Sequence, residues 1–267
     1  MKTIADVIPQ REKDDSAAKS ALSPLFLRSV RISPEMPMDE YYASLPAVQS
    51  IWADRGLDFT KPVTFFVGEN GVGKSTLIEA IAVALGFNPE GGSLNFDFST
   101  SDSHSTLYQH LKPSRGIRRN RDGFFLRAES YYNAATYLDE VEQYNKNGPF
   151  SSYGGKSLHK QSHGESFLAL VENRFSKNGL YLLDEPEAAL SPMRLMRMMV
   201  TIHELAKNGA QFIISTHSPI LMTMPDSDII QITEEGLKHV AYRETEHYQI
   251  TLSYLENPDR MLRELLQ

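Results

Sequence analysis

Val63-Thr64-Phe65-Phe66-Val67-Gly68-Glu69-Asn70-Gly71-Val72-Gly73-Lys74-Ser75-Thr76-Leu77-Ile78 decides how the rest of this chain is read. The β-branched and aromatic run Val63–Val67 predicts a short buried strand. Leu77, Ile78, Ile81, Ala82 and Leu85 recur at helical spacing, and Gly86 is a fitting stop. Between them, Gly68 to Ser75 satisfies G-x-x-x-x-G-K-S/T completely. Glycines let the backbone N–H groups turn inward around an anion, and the following helix N-terminus adds its dipole. The candidate cradle comprises Gly68, Asn70, Gly71, Gly73, Lys74, Ser75 and Thr76. Lys74 supplies a cation for β- and γ-phosphates, and the Ser75 hydroxyl is a hard oxygen suited to Mg²⁺. A second run, Tyr153-Gly154-Gly155-Lys156-Ser157, fails the pattern because Phe150 stands where the first glycine belongs.

Further along, the apolar run Leu180–Leu183 ends in Asp184-Glu185. Acids at the carboxyl end of a parallel strand lie in the crevice where ligands bind. Asp184 is placed there to hold Mg²⁺, and Glu185 to orient or deprotonate an attacking water. Ser162-His163-Gly164-Glu165 stands at an expected helix start, where Ser162 and Gly164 can present a hydroxyl and N–H groups to an anion. In Ser215-Thr216-His217-Ser218 a histidine just past an apolar strand can reach a γ-phosphate. His163 has no such support and reads as a loop residue.

The remaining elements follow from the same periodicities. Residues 1–22 read as a flexible polar leader, and 23–267 as one domain with an inserted helical subdomain over about 88–166. Leu25–Ile32 and Phe124–Ala128 are strand candidates, and 35–56 reads as an irregular loop. Ser191-Pro192 is a good helix start, with serine as cap. Leu195, Met196, Met199, Val200, Ile202 and Leu205 form the expected apolar face, and Gly209 the stop. Met193, Met196, Met198 and Met199 are most simply core packing. The aromatic pairs Phe124-Phe125 and Tyr131-Tyr132 also read as core. Gln211–Ser215 is another strand, and the tail from His247 is helical. Strands alternating with helices predict an α/β fold with a mostly parallel sheet.

Composition sets the outer limits. The 267 residues carry a net charge of −7, 41% hydrophobic residues and no cysteine. Disulfides and thiolate metal sites are thereby excluded. The charged start at Arg11–Asp15 does not read as a signal peptide, and no apolar run suits a membrane span. A cytoplasmic location without direct membrane insertion is expected. The acidic balance argues against a dedicated nucleic-acid binder. The basic cluster Lys112, Arg115, Arg118, Arg119, Arg121 and Arg127 reads first as a solvated loop, with docking of nucleic acid or an acidic partner as the sharper alternative.

In their order, these segments resemble ABC-type (ATP-binding cassette) P-loop ATPases. Gly68–Ser75 is similar to Walker A, Ser162–Glu165 to the signature motif and Leu180–Glu185 to Walker B. Ala189-Leu190-Ser191 is similar to the D-loop and His217 to the switch histidine. From about Leu25 onward the chain also resembles a family of small bacterial predicted ATPases, through FFVGENGVGKSTLIEAIAVALGF, DGFFLRAES, QSHGESFLAL, YLLDEPEAALSP and STHSPIL. It departs at the signature, where Gln161-Ser162-His163-Gly164-Glu165 replaces L-S-G-G-Q, and at Ser191, where the family has aspartate. Glu129 or Ser130 stands where the Q-loop glutamine belongs, and the adenine-stacking aromatic is open among Tyr41, Tyr42 and Trp52.

The resemblance implies ATP and Mg²⁺ as cofactors, with Lys74, Glu185 and His217 as catalytic residues. It also implies a homodimer that closes around two ATP molecules and drives or gates an unknown cytoplasmic partner. Two other roles stay open: the motor subunit of a membrane transporter, and an ATP-gated switch with negligible turnover.

Overall fold

Four consecutive parallel pairings run through the centre of the molecule, and all their strands point their carboxyl ends at one edge. The computed structural model describes residues 25–93, 105–128 and 150–266, with a few isolated positions between 131 and 148. The expected leader, Tyr132 and the Q-loop candidates Glu129 and Ser130 lie outside the described residues.

The strands are β1 (Leu27–Ile32), β2 (Leu57–Asp58), β3 (Val63–Val67), β4 (Gly92–Ser93), β5 (Leu111–Arg115), β6 (Asp122–Arg127), β7 (Gly179–Asp184), β8 (Gln211–Ser215), β9 (Ser227–Thr233) and β10 (Gly236–His239). The helices are α1 (Pro46–Ala53), α2 (Lys74–Leu85), α3 (His163–Arg174), α4 (Pro192–Lys207), α5 (Glu246–Glu256) and α6 (Pro258–Leu265). The main sheet has the order β10-β9-β3-β8-β7-β6-β4. Pairings from β9 through β3, β8 and β7 to β6 are parallel, while β10 and β4 join the edges antiparallel. A second sheet, β2-β1-β5, is wholly antiparallel. The α/β fold expected from the sequence is therefore present, with a small antiparallel sheet beside it.

Alternation along each central strand builds two cores. Phe66, Leu180, Leu182 and Ile213 face one side, with Leu77, Ile78 and Ile81 of α2 and the small sheet. Phe65, Tyr181, Leu183, Phe212 and Ile214 face the other, with Phe167 and Leu170 of α3 and Leu195, Met198 and Ile202 of α4. Strands buried on both faces read as continuous apolar runs, which is why LYLL and FIIS were legible as strands. Gln211 joins the two sheets: its amide accepts from the N–H groups of Phe26 (2.9 Å) and Leu27 (2.8 Å) and donates to the Leu27 carbonyl (2.9 Å).

Three local expectations need correction. Residues 46–53 are a helix rather than an irregular loop. Pro46 opens α1 at its first position, where a missing N–H does no harm, and Ala47, Val48 and Ile51 bury one face. Ser191 does occupy the cap position of α4, but its side chain makes no cap hydrogen bond. The apolar face of α4 is narrower than expected: Leu195, Met198 and Ile202 are buried, whereas Met193, Met196 and Val200 are exposed. Among the described residues no helix is long and apolar enough to cross a membrane.

Candidate active site

The register of the central sheet assembles the site. Phe66 pairs with Ser215, Asp184 with Ser215, and Arg127 with Asp184. The loop after β3, the acids ending β7 and the segment after β8 therefore emerge side by side from the carboxyl edge, where α/β sheets bind ligands.

Gly68, Gly71 and Gly73 all have positive φ (147°, 88° and 97°), the conformation a tight anion cradle requires of its glycines. Lys74 is buried, and its Nζ donates to the carbonyls of Gly68 and Glu69 at 2.8 Å each. Burial lowers its pKa, against the opposing pull of Glu185, Asp184 and Glu187. Ser75 and Thr76 are half-buried in the first turn of α2, and Asn70 is exposed at the loop tip. The Ser75 hydroxyl donates to Asp184 Oδ1 at 3.0 Å, so two hard oxygens meet beside the cradle. This donor pair fits a Mg²⁺ ion that takes its other ligands from phosphate and water. Among the described residues no cluster of three His, Cys, Asp or Glu offers an all-protein metal cage.

Asp184 is itself buried, which raises its pKa, while the Ser215 hydroxyl, the Arg127 charge and the Ser75 hydroxyl hold it down. Arg127 Nε lies 3.6 Å from Asp184 Oδ2, and its guanidinium bonds Glu79 of α2. Glu185 takes up left-handed backbone, φ 50°, immediately beyond the strand. Its carboxylate is partly exposed, with Oε1 3.6 Å from His217 Nε2. His217 is held from behind by Glu187, whose Oε1 accepts from the Thr216 hydroxyl (2.7 Å) and the His217 backbone N–H (2.6 Å). Burial first, then Lys74 and His247, pushes the His217 pKa down to about 4, so the ring is neutral near pH 7.

The signature segment sits elsewhere. Ser162 is the cap of α3, exposed, with its N–H (3.0 Å) and hydroxyl (2.7 Å) donating to Glu165. Arg194 of α4 bonds Glu165 at 2.9 Å and reaches Ser162 Oγ at 3.5 Å. A Cβ on Gly164 would stand 2.8 Å from the Ala189 carbonyl, so only glycine lets α3 start this close to the D-loop segment. Among the described hydrogen bonds none joins Ser162 or Gly164 to Gly68–Thr76.

A groove of about 930 Å³ runs beside the cradle between Gly68–Val72, Gln49, Ile232 and Lys238, within the size range of small-molecule sites. None of the three aromatic candidates for adenine lines it: Tyr42 is buried in the core, while Tyr41 and Trp52 are exposed.

The comparisons with known proteins agree with this geometry. A family model described as "AAA domain" matches residues 47–168. A second, described as "AAA domain, putative AbiEii toxin, Type IV TA system", matches residues 166–223. A "Putative ABC transporter ATP-binding protein" of Methanothermobacter marburgensis is 30% identical over 202 residues, 68% of this chain and 70% of the relative. This chain belongs to the ABC-type P-loop ATPases. The energy-coupling factor transporter ATP-binding protein EcfA of Methanosphaera stadtmanae is 28% identical over 67% of the chain and 70% of its own length. A solved nucleotide-free ATP-binding cassette from an ABC transporter superposes with a TM-score of 0.50 at 15% identity, covering 86% of this chain and 95% of that one, which supports the fold.

As an ABC-type ATPase the chain binds nucleotide and hydrolyses ATP. Three residues of this ATPase were missed in the sequence. Arg127 was grouped with the basic cluster, yet it belongs to the Asp184 network. Two other cluster members are also engaged: Arg115 bonds the Leu85 carbonyl (2.8 Å), and Arg118 bonds Asn178 (3.0 Å) over the Phe26 ring. Glu187, which the sequence reading gave no role, braces the segment around His217. His247 carries no motif at all. His163, expected in a loop, opens α3 with its ring edge-on to Tyr131, 5.2 Å between centroids.

Proposed function

We propose that this chain acts as one half of an ATP sandwich, a cytoplasmic homodimer whose closure and hydrolytic reopening drive or gate a protein partner. The observation that carries the reading is the separation of its two phosphate-facing segments. Gly68–Ser75 forms a cradle around the buried Lys74 and joins Asp184 through Ser75, while Ser162 stands exposed at the cap of α3 without a described hydrogen bond to that cradle. A second protomer, turned to face the first, can supply the missing signature to each cradle.

In this reading the loop N–H groups and Lys74 hold the β- and γ-phosphates. Ser75 and Asp184 would hold Mg²⁺, which would supply positive charge beside those phosphates. Glu185 orients the attacking water and accepts its proton. His217, neutral, donates a hydrogen bond to the γ-phosphoryl oxygens. Ser162 and Gly164 of the opposite protomer close over the same oxygens.

The experiment is Glu185→Gln, which keeps the shape and removes the base. It is expected to bind ATP normally and hydrolyse it about 10²-fold or more slowly. With ATP and Mg²⁺ it is expected to run as a dimer in light scattering. A monomer under saturating ATP rejects the sandwich, and undiminished turnover rejects Glu185 as base.

A second reading, the motor subunit of a transporter, is favoured by the transporter names of the relatives. Co-purification of the trapped variant with a membrane protein supports it, and capture of a cytoplasmic protein supports the first.

A further inference from the structure

The carboxyl-terminal segment brings a second imidazole to the switch histidine. Thr245 caps α5 by accepting from the Tyr248 N–H (3.3 Å), which fixes the first turn and with it Glu246 and His247. His247 Nε2 then lies 3.1 Å from Nδ1 of His217, with the ring centroids 5.3 Å apart. The two rings, together with Glu69 and Asn70 of the cradle loop, line one depression of about 490 Å³. The opposite nitrogen of His217, Nε2, has no hydrogen-bond partner among the described residues and faces Glu185 Oε1 at 3.6 Å.

A neutral imidazole has one donor and one acceptor nitrogen. An N···N contact of this length between neutral rings therefore needs a hydrogen on one nitrogen and a lone pair on the other. Both rings are neutral near pH 7, because burial and Lys74 lower both pKa values. Two arrangements exist. If His217 Nδ1–H donates to His247, His217 Nε2 turns a lone pair toward the Glu185 carboxylate and toward any phosphate oxygen beside it. If His247 Nε2–H donates to His217, the hydrogen on His217 sits at Nε2 and meets acceptors there. Only the second pairs a donor with an acceptor at both nitrogens of His217. The bond made by one ring nitrogen in this way sets what the other can do.

We infer that His247 is a positioning residue: its Nε2–H donates to Nδ1 of His217 and so holds His217 in the tautomer that presents Nε2–H to the γ-phosphoryl group. The inference rests on the proposed role of His217 as the phosphate contact. It makes the first turn of α5 part of the catalytic apparatus, although α5 has no buried residue and adds nothing to the core.

The test uses the full chain with ¹⁵N-labelled histidine. Long-range ¹H–¹⁵N spectra are expected to report the Nε2–H tautomer of His217 in the wild type. His247→Phe keeps a ring and loses the donor; it is expected to abolish the single tautomer and lower kcat by about tenfold or more, the scale of orienting partners, while KM for ATP moves less than twofold. His247→Gln places an amide N–H near the same point and is expected to restore both the tautomer and most of kcat. The inference is overturned if His217 shows Nδ1–H in the wild type, if His247→Phe keeps full kcat, or if the Gln and Phe variants are equally impaired. His217→Ala separates the two levels. If it turns over normally, the role of His217 falls and the inference with it. If it is impaired while His247→Phe is not, the inference alone falls.

Discussion

The cradle end and the signature end of this ATPase are built on opposite plans. At the cradle, Lys74, Asp184, Ser215 and Thr216 are buried, and Asp184 alone gathers contacts from Ser75, Ser215 and Arg127, arriving from α2, β8 and β6. At the signature, Ser162 and Glu165 are exposed and bond mainly each other and Arg194. The first region is preorganised from three directions by a sheet edge. The second is a short helix start, shaped by one carboxylate and one close approach at Gly164. On the proposed reading this contrast is what a half-site requires, its exposed Ser162 segment meeting the cradle of a second protomer.

The largest effect is expected at the cradle. Lys74→Ala removes the cation seated inside the loop and is expected to abolish ATP binding by calorimetry while the fold persists. Normal affinity would break the assignment of the loop itself.

The comparison is sharpened most by mixing two dead proteins. Ser162→Arg and Glu185→Gln are each expected to be inactive. In a mixed dimer one site inherits both defects, while the other pairs an intact base with an intact signature. Activity is expected to recover, up to about half of wild type per mixed dimer if the sites act independently. Mixed dimers that form and stay dead would break the shared site, and full activity of Ser162→Arg alone would remove the signature assignment.

A smaller change is expected from Gly164→Ala. The new Cβ meets the Ala189 carbonyl at 2.8 Å, so α3 must shift away from the D-loop segment. A loss of about 1–3 kcal/mol in stability is expected from such overpacking, with lowered turnover and near-normal ATP affinity, read by thermal melts and kinetics. A drop in affinity as large as that of Lys74→Ala would erase the distinction between the two ends.

The smallest effect concerns pH. His217 has a folded pKa near 4, below its ordinary value of 6.5. Between those values the unfolded chain binds more protons, so this group's contribution to stability is complete above about 6.5 and is lost as pH falls toward 4. An NMR titration of His217 centred near 6.5 would contradict its burial beside Lys74.

Much of the cradle was legible because its parts are local: glycines, lysine and serine lie within eight residues, and the acids terminate an apolar run. The expected signature and switch segments were assigned only by their order relative to those parts. What escaped was whatever depends on register or on a long return of the chain. Arg127 joins Asp184 only because β6 pairs with β7 in this phase, and a charge after FFL otherwise reads as the start of a loop. Gln211 looks like an ordinary first residue of a strand until β1 arrives against it. His247 reaches His217 from a helix with no buried face and no periodic signal. Helix α1 was hidden by its brevity and by Pro46, which suggests a break unless it is the first residue. The methionines of α4 misled because the helix packs one narrow stripe, leaving Met193 and Met196 outside.

Glu185 stands in left-handed backbone at φ 50°, a conformation that disfavours side chains with a Cβ by about 1–2 kcal/mol and that glycine adopts freely. The chain thus carries its proposed base at a position where the most comfortable residue would be chemically silent. On that proposed role, thermal resistance and turnover pull in opposite directions at this one codon. A library of the gene screened for heat tolerance alone would enrich glycine at 185 and return proteins that melt higher, still clasp nucleotide, and no longer release it as product.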